Sequence, residues 1–145
     1  MSKKMHERTD KESIETGNRF APLFNDDGLL PCIVSDHQTG EVLMFAWMNR
    51  EALEQTLDTG KATFFSRSRQ KIWVKGESSG LEQLVKEIRV DCDQDVLQLM
   101  VEVQGEGVCH QGFRSCFYRS VEDAKTGTLA YRIDERSFDP ENVYH

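Results

Sequence analysis

No stretch of this sequence approaches the roughly 20 consecutive apolar residues that a membrane span requires. The N-terminal text MSKKMHERTDKES carries basic residues with no apolar segment behind them, so a secretory signal is not expected and the cytoplasm is. Cysteine is scarce: Cys32, Cys92, Cys109 and Cys116 are the only four. In a reducing compartment they are expected as metal ligands or buried thiols, not as disulfides. Positive charge is also short. Lys and Arg number 18 against 25 Asp and Glu, for a formal net charge of −7. Phosphate contacts need clustered basic residues, so a general nucleic-acid binder is not expected. There is no internal repeat, no low-complexity segment, and none of HExxH, GxSxG, GxxxxGK[ST], a strand-borne GxGxxG or HxE with PCxxC.

The 145 residues, 38% hydrophobic and 30% charged, suit one globular domain. Residues 1–20 are polar and read as an arm or a short helix, ahead of a single domain over 21–145. Leu29 to Val34 and the text EVLMFAWM, separated by the turn DHQTG, read as a hairpin. Asn49 is a good N-cap for NREALEQTLDTGK, with Ala52, Leu53, Thr56 and Leu57 at helical spacing and Gly60 at the C′ position. Strands are expected at ATFFS, KIWVK, LVKEIRV, VLQLMVEV and SCFYRS. The fold class expected is therefore α+β, mostly antiparallel strands with one main helix after the second strand.

Three segments could carry chemistry. In RVDCDQD, Asp91, Asp93 and Asp95 recur at every second position with Cys92 between the first two. If a strand runs through them, alternation turns the carboxylates to one face and the thiol to the other. Crowded carboxylates repel unless a cation binds, and oxygen-only clusters suit Mg²⁺; the bland alternative is a solvated strand end. An EF-hand is rejected, because its sixth position falls on Val96, where the loop needs a glycine. In GVCHQGFRSCFYR, Cys109, His110 and Cys116 are zinc-type donors, spaced too widely for a CxxC knuckle. With Cys92 they would supply the three thiolates of an open zinc site; two core thiols and a hydrogen-bonded histidine are the alternative. In SRSRQKIWVKGESSG, Ser66, Arg67, Ser68, Arg69, Lys71 and Lys75 precede Gly76, Glu77, Ser78, Ser79 and Gly80. That run offers an anion site in an acidic chain, or simply a solvated basic face.

Taken together and in this order, the segments resemble the phosphoribosyl-AMP cyclohydrolase family of histidine biosynthesis. The matching text runs from FNDDGLLPCIV through GEVLMFAWMNREAL, TGKATFFSRSR, WVKGESSG and DCDQD to CHQGFRSCFYR, about residues 24–119. The resemblance implies a homodimer with active sites at the subunit interface. It implies Mg²⁺ at Asp91, Asp93 and Asp95, and Zn²⁺ held by Cys92 of one subunit with Cys109 and Cys116 of the other. The implied reaction adds water to C6 of the adenine ring of phosphoribosyl-AMP and opens the N1–C6 bond. N1-ribosylation makes C6 electrophilic, and a zinc-activated water with its pKa lowered to about 7 would be a competent nucleophile. His110 is the expected proton shuttle. The segment from Ser66 to Arg69, the segment from Lys75 to Gly80, and Arg114 are expected to hold the substrate's phosphates. Leu81 stands where many members carry Asn or His, and Gln111 where Thr is common. The chain ends too soon for the pyrophosphohydrolase domain that many relatives carry, so a single activity is expected. The alternative from another class is a non-enzymatic, zinc-stabilised dimer that binds a nucleotide.

Overall fold

The computed structural model describes residues 4–77, 80–105 and 107–143. In chain order it contains α1 (Lys11–Thr16), β1 (Leu30–Asp36), β2 (Val42–Met48), α2 (Arg50–Thr59), β3 (Thr63–Ser66), β4 (Lys71–Val74), β5 (Gln83–Val90), β6 (Leu97–Val103), β7 (Arg119–Asp123), β8 (Thr128–Tyr131) and α3 (Pro140–Val143). The main sheet has the order β2-β1-β6-β5, with β3-β4 and β7-β8 as separate two-stranded ribbons. Among the described residues no helix is long and apolar enough to cross a membrane.

The sheet joins two hairpins. β1 and β2 pair antiparallel, as do β5 and β6. The seam between them, β1 against β6, is parallel, so the sheet is mixed and not antiparallel throughout. A parallel neighbour needs a long crossover; here it contains α2 and the β3-β4 ribbon.

Local sequence explains the helix and the core strands. The Asn49 side chain accepts a hydrogen bond from the Ala52 N–H at 2.8 Å, and Gly60 closes α2 at φ +75°. Ala52, Leu53 and Thr56 form its buried face. On β6, Leu97, Leu99 and Val101 are fully buried against Cys32 and Val34 of β1. On β5, Val85 and Ile88 break period two, yet both face β6, because a bulge between Val85 and Glu87 absorbs the extra residue. Phe64 is also fully enclosed; truncating such a side chain to Ala costs about 3–5 kcal/mol.

Two expectations need correction. The strand expected at SCFYRS begins only at Arg119. Residues 115–116 are instead stapled to the start of β2: the Ser115 hydroxyl donates to Val42 O at 2.8 Å and the Cys116 N–H to Leu43 O at 2.7 Å. The second correction is at residues 91–96, which form a turn and not a strand. Asp91 itself ends the strand, since its Oδ1 accepts the Asp95 and Val96 N–H groups at 3.0 and 3.1 Å. Alternation therefore does not set where Cys92 lies; turn geometry does.

The N-terminal stretch contains the short helix α1 and reaches the core. Asp10 caps α1, Ile14 is buried, and Met5 joins the main hydrophobic cluster. An ion pair between Lys4 and Asp58 adds a surface tie to α2.

Candidate active site

Two groups of ligand-type side chains leave β6 from opposite ends. The aspartate turn enters the strand at Leu97, and the Cys109–Cys116 loop follows its exit at Val103.

The aspartate turn is a compact carboxylate cluster. One oxygen each from Asp91, Asp93 and Asp95 lie within 4.8 Å of one another. Crowding shows in their ionisation. Hydrogen bonds to Asp93 and then Asp91 push the Asp95 carboxyl up to about 6. Burial works against the Asp91 carboxylate, but bonds from Asp95 and from the Asp95 and Val96 N–H groups outweigh it and hold its pKa below the usual range. Three hard oxygen donors on one turn, one of them with its carboxyl pKa raised by the other two, match what Mg²⁺ accepts. Cys92 is exposed beside them. It lines a cavity of about 520 Å³ between the turn and the N-terminal segment, with Ile14, Phe20, Leu57 and Ile88.

The thiol loop lies deeper. Cys109 is buried, and the Cys116 thiol neighbours it. Burial, then the nearby Cys109, pushes Cys116 up to about 11. The Gln111 N–H donates to the Cys109 sulfur at 3.5 Å. Gly112 shapes the loop: at φ +95° a Cβ would meet Phe138 O at 2.3 Å, so only glycine fits. The chemistry of this donor pair, soft sulfurs with an N–H aimed at one of them, suits zinc. His110 is exposed on the same loop. Among the described residues, no third Cys, His, Asp or Glu joins Cys109 and Cys116 within ligand distance. Cys32 is a buried thiol, fully enclosed in β1, and desolvation pushes it up to about 12.

Lys75 is a member of the thiol site that the sequence did not assign to it. Its ammonium donates to Val108 O at 3.0 Å. Burial lowers its pKa, while the charges of Cys116 and Cys109, when ionised, raise it. The only sequence signal was a lysine inside WVKG, and that text groups it with a phosphate loop. Gly76 follows because a Cβ there would meet Leu81 C and Glu82 N at 2.2 Å.

The remaining anion candidates are dispersed in their commitments. Arg67 and Arg69 are exposed in the β3-β4 turn, with the Arg67 guanidinium 5.0 Å over the Trp47 ring. Ser66 Oγ lies 3.4 Å from Ser68 Oγ and accepts the Arg69 N–H at 3.3 Å. Glu77 and Gly80 are exposed, while Ser78 and Ser79 lie outside the described residues. Arg114 is engaged by Glu41, Nε to Oε1 at 2.9 Å and Nη2 to Oε2 at 3.3 Å.

Comparison with known proteins places this arrangement in a family. A sequence profile described as Phosphoribosyl-AMP cyclohydrolase matches residues 44–118. A phosphoribosyl-AMP cyclohydrolase of Rhizobium leguminosarum bv. trifolii is 54% identical over 138 residues, covering 93% of this chain and 91% of the relative. Proteins of the same name from Rhodopseudomonas palustris (50% over 135 residues, 92% of each chain) and Chlorobium limicola (48% over 136 residues, 94% and 96%) are similar over the same span. The matched segment takes in the β3-β4 basic turn, the aspartate turn and both thiols of the buried loop, and the chain belongs to the phosphoribosyl-AMP cyclohydrolase family of C–N bond hydrolases.

Proposed function

We propose that this chain hydrolyses the N1–C6 bond of the adenine ring of phosphoribosyl-AMP as a zinc-dependent homodimer, in the cytoplasmic pathway of histidine biosynthesis. In each site Cys109 and Cys116 of one protomer and Cys92 of the other would hold Zn²⁺, and Asp91, Asp93 and Asp95 would hold Mg²⁺. The carrying observation is the separation of the thiols along β6. The strand runs from Leu97 to Val103, and at about 3.3 Å per residue its length is roughly 20 Å. Cys92 precedes it and Cys109 follows it, so three thiolates meet most simply when two copies are apposed. Exposed Phe45, Val90, Phe117, Val121 and Leu129 give the surface apolar area to bury in such a contact.

Zinc at the thiols would supply Lewis acidity and an acidified water. The chain's own residues do the rest. Attack forms the C6–O bond, the C6–N1 bond breaks, and N1 takes up a proton. His110, exposed next to Cys109, carries that proton from the attacking water to N1. Lys75 sets its positive charge against the two thiolates, which favours their ionised form. The Arg67 and Arg69 guanidiniums, held on the β3-β4 turn, offer paired N–H donors to a phosphate.

A spectroscopic ring-opening assay on phosphoribosyl-AMP with added Zn²⁺ and Mg²⁺ tests the reading. Turnover that vanishes with a chelator and returns with Zn²⁺ is the expected result. Tight substrate binding without ring opening would instead identify a non-enzymatic nucleotide-binding dimer.

A further inference from the structure

We propose that Gln94 is a positioning residue that clamps the N-terminal segment onto the aspartate turn, so that docking of this segment and cation binding at the turn form one coupled equilibrium. The coupling rests on the reading above that Asp91, Asp93 and Asp95 take a divalent cation.

Gln94 has φ +58°, a region unfavourable for residues other than glycine. A backbone requirement alone would select glycine here, so the side chain must repay the conformation. It is 4% exposed, and its amide is fully engaged with the N-terminal segment. Oε1 accepts the Ala21 N–H at 2.8 Å. Nε2 donates to Ile14 O at 3.0 Å and to Arg19 O at 3.1 Å. The Gln94 carbonyl accepts the Leu23 N–H at 2.8 Å. From the other side, the Gln94 N–H donates to Asp91 O at 3.1 Å. Asp91 is also the residue whose carboxylate holds the Asp95 and Val96 N–H groups. One residue therefore belongs to two hydrogen-bonded rings, the turn that presents the carboxylates and the seat of residues 14–23. The same segment walls the cavity that Cys92 lines.

Linkage makes the coupling reciprocal. If a docked segment holds the carboxylates in place, a cation that favours the ordered turn must favour docking by the same factor. A Gln94 that only fills space would loosen the segment without making it cation-dependent.

The test uses full-length, zinc-loaded protein and Mn²⁺ as the probe, with binding read by electron paramagnetic resonance. Trypsin cleavage at Lys11 and Arg19 reads docking, and cleavage at Lys125 in the β7-β8 turn is the control. Saturating Mn²⁺ is expected to slow cleavage at Lys11 and Arg19 about tenfold and leave Lys125 unchanged. In Gln94→Gly, which keeps the backbone conformation, Mn²⁺ affinity is expected to fall about tenfold and the protection to disappear. If the unmodified protein binds Mn²⁺ while the Lys11 and Arg19 rates stay constant, the clamp is overturned and the cation site stands. If it binds no Mn²⁺ at millimolar concentration, the cation reading fails and takes the coupling with it. Both decisions need only the unmodified protein, so they hold even where Gln94→Gly does not fold.

Discussion

The aspartate turn is built by its own side chains, whereas the thiol loop is held from outside. Asp91 caps its own turn and three carboxylates come together within residues 91–96, with Gln94 tying that turn to residues 14–23. The thiol loop depends on Leu43 O, on Lys75 and on a glycine pressed against Phe138. The first site is exposed and offers a full set of hard donors. The second offers two soft donors, on buried Cys109 and exposed Cys116, one short of an open zinc site. The difference is one of construction: one donor set comes from a single turn, and in the proposed function the other is completed by assembly of two copies.

The largest effect expected comes from testing that completion. Cys92→Ala and Cys109→Ala should each abolish zinc binding and lower turnover on the order of 10³-fold or more. Refolded as an equal mixture, they should regain about a quarter of the wild-type sites, because half of the dimers are mixed and each mixed dimer has one site free of either substitution. Zinc content and turnover would both report it. No recovery would place all three thiols in one chain and end the comparison.

Next in size is the self-built character of the turn. Asp91→Ala removes both a carboxylate and the cap, and should weaken Mg²⁺ on the order of a hundredfold, as read by titration. Asp93→Ala removes a carboxylate alone and should cost about tenfold. Equal losses would deny Asp91 its second role. Smaller again is the effect at the basic turn. Arg67→Ala should raise KM about tenfold with little change in kcat, since phosphate contacts bind ground state and transition state alike. Arg114→Ala should change KM less, its guanidinium being engaged by Glu41.

The smallest effect is a pH dependence of the metal-free protein. The Asp95 pKa is raised to about 6 in the folded chain, against about 3.9 unfolded. Its contribution to stability is therefore complete below about pH 4 and is lost as the pH rises through 6. The thermal midpoint of metal-free protein should fall slightly across that window relative to Asp95→Asn, and saturating Mg²⁺ should remove the difference. An Asp95→Asn profile identical to wild type without metal would show that the carboxylates do not sense one another.

The local elements were legible because local chemistry writes them. Asn49 and Gly60 bound α2 by capping, and the alternation of Leu97, Leu99 and Val101 marks a half-buried strand. The ligand-type residues were legible as candidates for a similar reason: three carboxylates in five positions, and two cysteines with a histidine, are donor sets visible in short windows of sequence. The strand reading of Asp91–Asp95 failed because alternation was extended past a residue whose side chain ends the strand. The strand at SCFYRS failed because its hydrogen bonds go to β2, distant in sequence.

By itself, then, the sequence determined which donors exist and which short elements carry them, since capping, period two and ligand type are properties of neighbouring residues. Only the tertiary structure decided the parallel seam of β1 on β6, the placement of Lys75 beside the thiols, and the tie from Gln94 to residues 14–21. Each of these joins residues far apart along the chain. Such pairings are selected by what the whole core can bury and by which polar groups must still find partners, and no local window contains that information.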